Sequence, residues 1–267
     1  MVDVSIIVPT YNSASHLDRC LGSIGAQKDI RAELHVIDDN SKDDTQRKVL
    51  AFKQHNPHVD VHLHVRLEER GQSTARNVGI DASKGDYIAL LDSDDKFRDP
   101  LTLRKWVDAA RQHDAEIVVG QYYVENLENG TSGYGRAVRM PGDGLLTDIY
   151  RHPTLANVSS CWQMLYKRAF LDEKQVRFSR LLRQREDRPF FINALVATEK
   201  VLVVPQVVVD HLMHSASSFQ MINALMKKGR SSRCRSSREK RTCFSSRNAR
   251  LYSICQQDET LASVGWR

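Results

Sequence analysis

Apolar positions in the first 125 residues alternate between two periods. Val4-Ser5-Ile6-Ile7-Val8 is a β-branched run closed by Pro9, the mark of a strand buried on both faces. Across residues 13–24, Leu17, Cys20, Leu21 and Ile24 recur at helical spacing, and Gly25 stops the helix. Residues 33–37 read as a second strand, ending in the polar turn Asp38-Asp39-Asn40-Ser41. Asp43 or Asp44 starts a second helix with Val49, Leu50 and Phe52 on its buried side. Residues 59–65 alternate as a third strand, and residues 72–82 form a helix bounded by Gly71 and Gly85. The fourth strand, 87–91, runs straight into Asp92-Ser93-Asp94-Asp95. Pro100 opens a further helix, and residues 116–122 are a fifth strand.

Strands and helices alternating through short connections predict an α/β protein: an open, mostly parallel sheet covered by helices on both faces. In such sheets ligands sit outside the carboxyl ends of the strands. Here those ends carry Thr10-Tyr11-Asn12, Asp38-Asp39 and residues 92–95, so three polar clusters are expected on one edge. The second half is less regular. Residues 124–148, rich in Gly and Asn, read as an irregular excursion. A strand is expected at 162–166, a short helix at 167–173 and a firmer helix at 186–197, whose Pro189 is tolerated in the first turn. Two apolar stretches follow, at 200–204 and 207–209. With fewer long helices, this half is expected to close over the first. Trp162 is a candidate either for stacking on a ligand or for core packing.

The net charge of +6 changes meaning once it is located. From Met226 onward eleven Lys and Arg face three acidic residues, so the first 225 residues carry a net −2. A basic pI is therefore no sign that the folded part binds nucleic acid. The segment 226–267, with eight Ser and three of the five Cys, offers too little periodic apolar surface to offset its ordering entropy. It reads either as a basic arm that touches anionic lipid or another acidic partner, or as out-of-frame or truncated sequence. The expected organisation is one folded domain over 1–225, in two halves that meet at about 125, followed by this tail. No run approaches the roughly 20 apolar residues that span a bilayer. The N-terminus lacks a basic region ahead of an apolar one, and five irregularly spaced Cys give no disulfide framework. The expected setting is cytoplasmic, with peripheral contact at the inner face of the membrane through the tail.

The D-x-D at the end of the fourth strand carries the first chemistry. Alternate residues share a face, so two carboxylates can point into one pocket and hold a hard divalent cation beside substrate phosphates. By itself the pair could also be a solvated turn. Four segments in register add weight: V-S-I-I-V-P-T-Y-N at 4–12, V-I-D-D-N-S-K-D-D-T at 36–45, G-Q-S-T-A-R-N-V-G at 71–79 and G-D-Y-I-A-L-L-D-S-D-D at 85–95. Together they resemble the family 2 glycosyltransferases of the glycosyltransferase-A fold, strongly over residues 3–125 and more loosely over 160–218.

The resemblance implies an inverting transfer of a sugar from a nucleoside diphosphate sugar, a UDP-sugar first, to an acceptor hydroxyl of a saccharide or glycolipid, with Mn²⁺ or Mg²⁺ as cofactor. It places Pro9, Thr10, Tyr11 and Asn12 along the base and ribose and gives Asp39 a hydrogen bond from the base. Arg76 lies near the nucleotide phosphates. Asp92 faces ribose or metal, Ser93 sits among the nucleotide-sugar contacts and Asp94 is the principal metal ligand. The Glu186-Asp187 pair at a helix start is similar to the family's acceptor-side motif, with Asp187 as catalytic base and Glu186 orienting it. A sugar hydroxyl is a poor nucleophile, and a positioned carboxylate takes its proton as attack develops. His214 and Ser217 match a later signature, with His214 at the diphosphate or in the metal shell and Ser217 at the leaving phosphates. The arginine often found there is absent.

Each assignment has a plainer counterpart: Asp39 capping a helix, Arg76 pairing with a surface carboxylate, Glu186 and Asp187 complementing a helix dipole. Other enzyme classes fit poorly. The apolar-strand D-x-D of haloacid dehalogenase phosphatases expects Thr or Val where Lys96 stands, and no G-x-G-x-x-G follows the first strand as a dinucleotide site requires. The rival from outside enzymology is a degenerate or truncated relative that binds nucleotide-sugar and transfers nothing.

Overall fold

A computed structural model describes residues 1–67, 71–135, 146–158, 160–182 and 186–214. One compact unit spans Met1–Met213, and of the second, His214–Arg267, only His214 is described. The expected boundary near 225, the basic tail with its membrane contact, and Ser217 all lie outside the described residues. Among the described residues no helix is long and apolar enough to cross a membrane.

The first half follows the hydrophobic periods closely. Strands β1 (Val4–Thr10), β2 (Ala32–Asp38), β3 (Asp60–Val65) and β4 (Tyr87–Leu90) alternate with helices α1 (Leu17–Gly25), α2 (Thr45–His55) and α3 (Gln72–Ala82). They pair in parallel, in the order β3-β2-β1-β4. Every residue of β1 is buried, because alternate side chains enter two different cores. Val4, Ile6 and Val8 pack with α1 and α2, whereas Ile7 packs with α3. Helix α1 starts later than the expected residue 13, since Ser13 is held in the loop before it. Its N–H donates to Thr45 Oγ1 (2.9 Å), and its hydroxyl pairs with that of Ser93 (2.8 Å).

The second half departs from expectation in topology. Strand β5 (Lys96–Phe97), which has no sequence signal, precedes α4 (Thr102–Gln112) and β6 (Ile117–Asn126). Strand β6 runs on into the supposedly irregular region, and β7 (Ser132–Tyr134) folds back against it; β8 (Leu146–Thr147) follows. A 3₁₀ turn at Cys161–Gln163 takes the front of the expected strand at 162–166, so β9 (Met164–Lys167) is shorter. The second half was expected to close over the first. Instead β9 inserts between β4 and β6, antiparallel to both, and extends the same sheet. An open edge of β4 would leave unpaired N–H and C=O groups, and β9 satisfies them. After α5 (Arg168–Glu173) and α6 (Asp187–Val196), the two apolar stretches merge into one strand, β10 (Val201–Met213). Pro205 has no N–H for the ladder, and the β10–β6 register shifts between Val203 and Val207 to accommodate it.

The seating of α3 positions the site. A Cβ built on Gly79 would lie 2.4 Å from Ile7 Cγ2 and 2.9 Å from Ile37 Cδ1, so the helix approaches β1 and β2 at glycine distance. Gly79→Val is expected to lower stability by about 1–3 kcal/mol through overpacking. A shift of the urea midpoint with unchanged m-value measures it.

Candidate active site

Three strand ends build one rim of the site. After β1, Asn12 adopts a left-handed conformation (φ 49°), which asparagine tolerates. Its N–H donates to Ser41 Oγ and its Oδ1 accepts from the Lys42 N–H, both at 2.8 Å. The loops after β1 and β2 are thus laced together. Pro9 is buried within β1, and the buried Thr10 hydroxyl donates to Asp38 Oδ1 at 3.2 Å. Tyr11 is half exposed. Asp38, to which the sequence reading gave no role, is fully buried and organises the turn by accepting from Thr10, Ser41 and Gln46. Its neighbour Asp39 accepts the Gly71 N–H at 2.8 Å and pairs with Arg66 at 3.0 Å. Gly71 sits at φ 82°, which a glycine adopts without steric cost, and from there α3 begins.

Helix α3 then joins the two halves. Arg76, one of its inward residues, is 1% exposed. Its Nη2 donates to Asp92 Oδ1, and its Nη1 donates to Glu186 Oε1 and Asp187 Oδ1, each at 2.8 Å. The guanidinium also lies over the Phe178 ring, 5.2 Å from its centroid. Burial works against its charge, yet the surrounding carboxylates, Asp187 foremost, hold the pKa well above the usual arginine value. The next residue, Asn77, clamps the Phe178 backbone through paired bonds of 2.8 and 2.9 Å, and Ser73 donates to Leu182 O at 3.0 Å. The A-R-N tripeptide therefore holds the chain that leads into α6. Ser73 and Asn77 were not among the expected site residues, and only Asn77 had a signal, its place in that tripeptide.

Glu186 and Asp187 stand at the start of α6, where the helix dipole favours carboxylates. Burial is the main cause that raises the Glu186 pKa above its ordinary value, with Arg76 opposing and Asp187 adding to it. The Asp187 side chain stays 20% exposed, so it remains within reach of solvent or a ligand. Three carboxylates around one guanidinium leave an excess of negative charge.

That excess continues into the strand end. Carboxylate oxygens of Asp92, Asp94 and Asp95 lie within 4.8 Å of one another, a hard-oxygen donor set that suits Mg²⁺ or Mn²⁺. Asp92 and Asp94 are part-exposed, whereas Asp95 is fully buried. Asp95 accepts the Leu212 N–H at 2.8 Å and faces His211 Nδ1 at 3.0 Å. Burial opposes the charge on His211, but the hydrogen bond and charge of Asp95 raise its pKa to about 9. Burial in turn pushes the Asp95 carboxyl up to about 7, so this buried acid and the part-exposed His211 hold a proton between them beneath the rim. Trp162, a candidate for sugar stacking, is 3% exposed and packs against Tyr122 and His211 in the core.

Asp39, Arg76, Asp92, Asp187 and Glu186 are therefore connected through α3, while Ser93 ties the end of β4 to the β1–α1 loop. His214 is the first residue of the second unit.

Comparison with known proteins fits this geometry. The family profile described as glycosyl transferase family 2 matches residues 5–173. Succinoglycan biosynthesis protein ExoO of Rhizobium meliloti (strain 1021) is 33% identical over 214 residues, covering 76% of this chain and 58% of that protein. Poly(ribitol-phosphate) beta-N-acetylglucosaminyltransferase TarP of Staphylococcus aureus (strain N315) is 25% identical, covering 73% of this chain and 58% of its own. The chain thus spans a little over half the length of these relatives. Among solved structures, S. aureus TarS 1–349 in complex with UDP-GlcNAc superposes with a TM-score of 0.71 at 20% identity, over 81% of this chain and 60% of that one. Mannosyltransferase PcManGT from Pyrobaculum calidifontis, in complex with GDP-Man and Mn²⁺, gives 0.58 at 20% identity, over 85% and 64%. These likenesses show the glycosyltransferase-A fold.

Proposed function

The chain belongs to glycosyl transferase family 2, and from that premise we propose that it transfers a sugar, with inversion, from a UDP-sugar to a hydroxyl of a growing polysaccharide or polyol-phosphate chain. The observation that carries this reading is the Arg76 fork, which brings the acceptor-side pair Glu186–Asp187 against the donor-side Asp92. A donor across the strand ends and an acceptor at α6 then share one cleft.

Asp187 takes the proton of the acceptor hydroxyl as its oxygen attacks the anomeric carbon, while the bond from that carbon to the phosphate oxygen breaks. Glu186 and Arg76 touch no reacting atom and act as positioning residues for Asp187. Asp39, fixed by Gly71 and Arg66, accepts from the base, with Tyr11 and Asn12 beside it. Asp94 and Asp92 are the residues that hold a divalent ion, which when bound offsets negative charge on the departing diphosphate.

Thermal denaturation with Mn²⁺ tests donor class. UDP at a hundredfold excess over its Kd is expected to stabilise the chain by about 2.7 kcal/mol, and ADP far less. An equal response to both nucleotides would remove the role given to Asp39. In Asp94→Asn the Mn²⁺-dependent part of the UDP shift is expected to vanish. Transfer onto a polysaccharide primer tests the rest. UDP binding with no turnover across an acceptor screen would instead identify a non-catalytic relative.

A further inference from the structure

Away from the cleft, at the β2–β3 edge of the sheet, a second cluster of ligating side chains has no part in the reading above. In the parallel register Glu33 stands opposite Asp60, His35 opposite His62 and Ile37 opposite His64. Because strand side chains alternate, Glu33, His35, Asp60, His62 and His64 all lie on the face that α3 covers further in. One ligand atom each from Glu33, His35 and His62 falls within 4.8 Å of the others.

The cluster holds buried polar atoms that form no hydrogen bond. Glu33 is fully buried, and its Oε1 takes the Ser5 hydroxyl and the Lys84 and Gly85 N–H groups, but its Oε2 has no partner. His35 is 2% exposed, and its Nε2 makes no hydrogen bond although Glu33 Oε1 is 3.4 Å away. His62 Nε2, 3.1 Å from Asp60, is likewise unbonded. Buried polar atoms are nearly always satisfied, so three unbonded atoms on three clustered side chains call for an absent partner. A cation among these side chains would supply one.

Two further features suit a metal. His35 Nδ1 lies 3.0 Å from His64 Nε2, so His64 can fix the tautomer that turns the His35 Nε2 lone pair toward Glu33, as outer partners do for metal-bound histidines. His62, stacked on His35 at 4.9 Å and a third exposed, opens the cluster to solvent.

We propose that Glu33, His35 and His62 bind a borderline-soft divalent transition ion of the Zn²⁺ class, with His64 as the orienting partner of His35. Two imidazoles and a carboxylate match that class, whereas Asp92 and Asp94 offer only hard oxygens. Ligand atoms in a tetrahedral zinc site stand about 3.5 Å apart, so on binding an ion the three draw in from a spread of up to 4.8 Å.

The test uses the untagged full-length chain, stripped by chelator and titrated with Co²⁺, whose visible d–d bands report imidazole and carboxylate coordination. Bands saturating at one equivalent, and bleached by Zn²⁺, are expected. His62→Ala should weaken Co²⁺ affinity at least tenfold, while Asp94→Asn leaves it unchanged. Since His62 lies on an edge strand, its variant should keep the parent circular dichroism and the parent UDP shift. Zn²⁺ should raise the melting temperature of the parent and not of His62→Ala. The proposal is overturned by a parent chain without bands, by bands that survive His62→Ala, or by bands that disappear in Asp94→Asn.

Discussion

Asp187→Asn is expected to cut sugar transfer by about 10²–10⁴-fold, the usual worth of a positioned general base, while UDP binding and its Mn²⁺ dependence stay at the parent level. The substitution keeps shape and leaves an amide oxygen to accept from Arg76 Nη1, so the fork need not rearrange. What it removes is the capacity to take a proton. Steady-state transfer rates beside nucleotide thermal shifts separate the two effects. A variant with unimpaired kcat would falsify the assignment of Asp187, and one that also lost UDP binding would mean that the residue shapes the donor pocket.

Arg76→Met has the largest expected effect on the fold. Its guanidinium is the shared partner of Asp92, Glu186 and Asp187, and its removal leaves buried and half-buried carboxylates facing one another. Breaking a buried pair from one side costs about 3–5 kcal/mol, against a total stability of about 5–15 kcal/mol. The loss should depend on pH in a definite sense. Burial already raises the Glu186 pKa, and without Arg76 it rises further. In the folded variant Glu186 then binds its proton at a higher pH than in the unfolded chain, so stability recovers as pH falls through that raised value. Urea titrations of parent and variant at neutral and mildly acidic pH check both magnitude and sign. A loss that stays constant or grows toward acid would show that the carboxylates are not what Arg76 stabilises.

The donor half was legible in the chain because its contacts are local or repeat at short range. The β-branched run at Val4, the helical spacing of Leu17, Cys20, Leu21 and Ile24, and the exact bounds of Gln72–Ala82 follow from backbone periodicity, which needs no partner to be visible. The polar strand ends were legible for the same reason: in a parallel sheet, side chains beyond the last apolar residue have no core to enter. The resemblance in the A-R-N segment pointed to Arg76, but no spacing rule shows three carboxylates arriving there from residues 92, 186 and 187.

Pairings between distant segments were decided by tertiary structure alone. Nothing in Met164–Lys167 says that it inserts between β4 and β6, and nothing in Val201–Met213 says that its two apolar stretches form one strand across Pro205. The histidines at 35, 62 and 64 look unrelated along the chain until parallel register sets them side by side. Sequence periodicity records which face of an element is apolar, so it marked the elements of the first half, the α/β class and the polar edge. It holds no record of which element lies beside which, because hydrogen-bond ladders and buried charge pairs gain their energy only after segments a hundred residues apart have met.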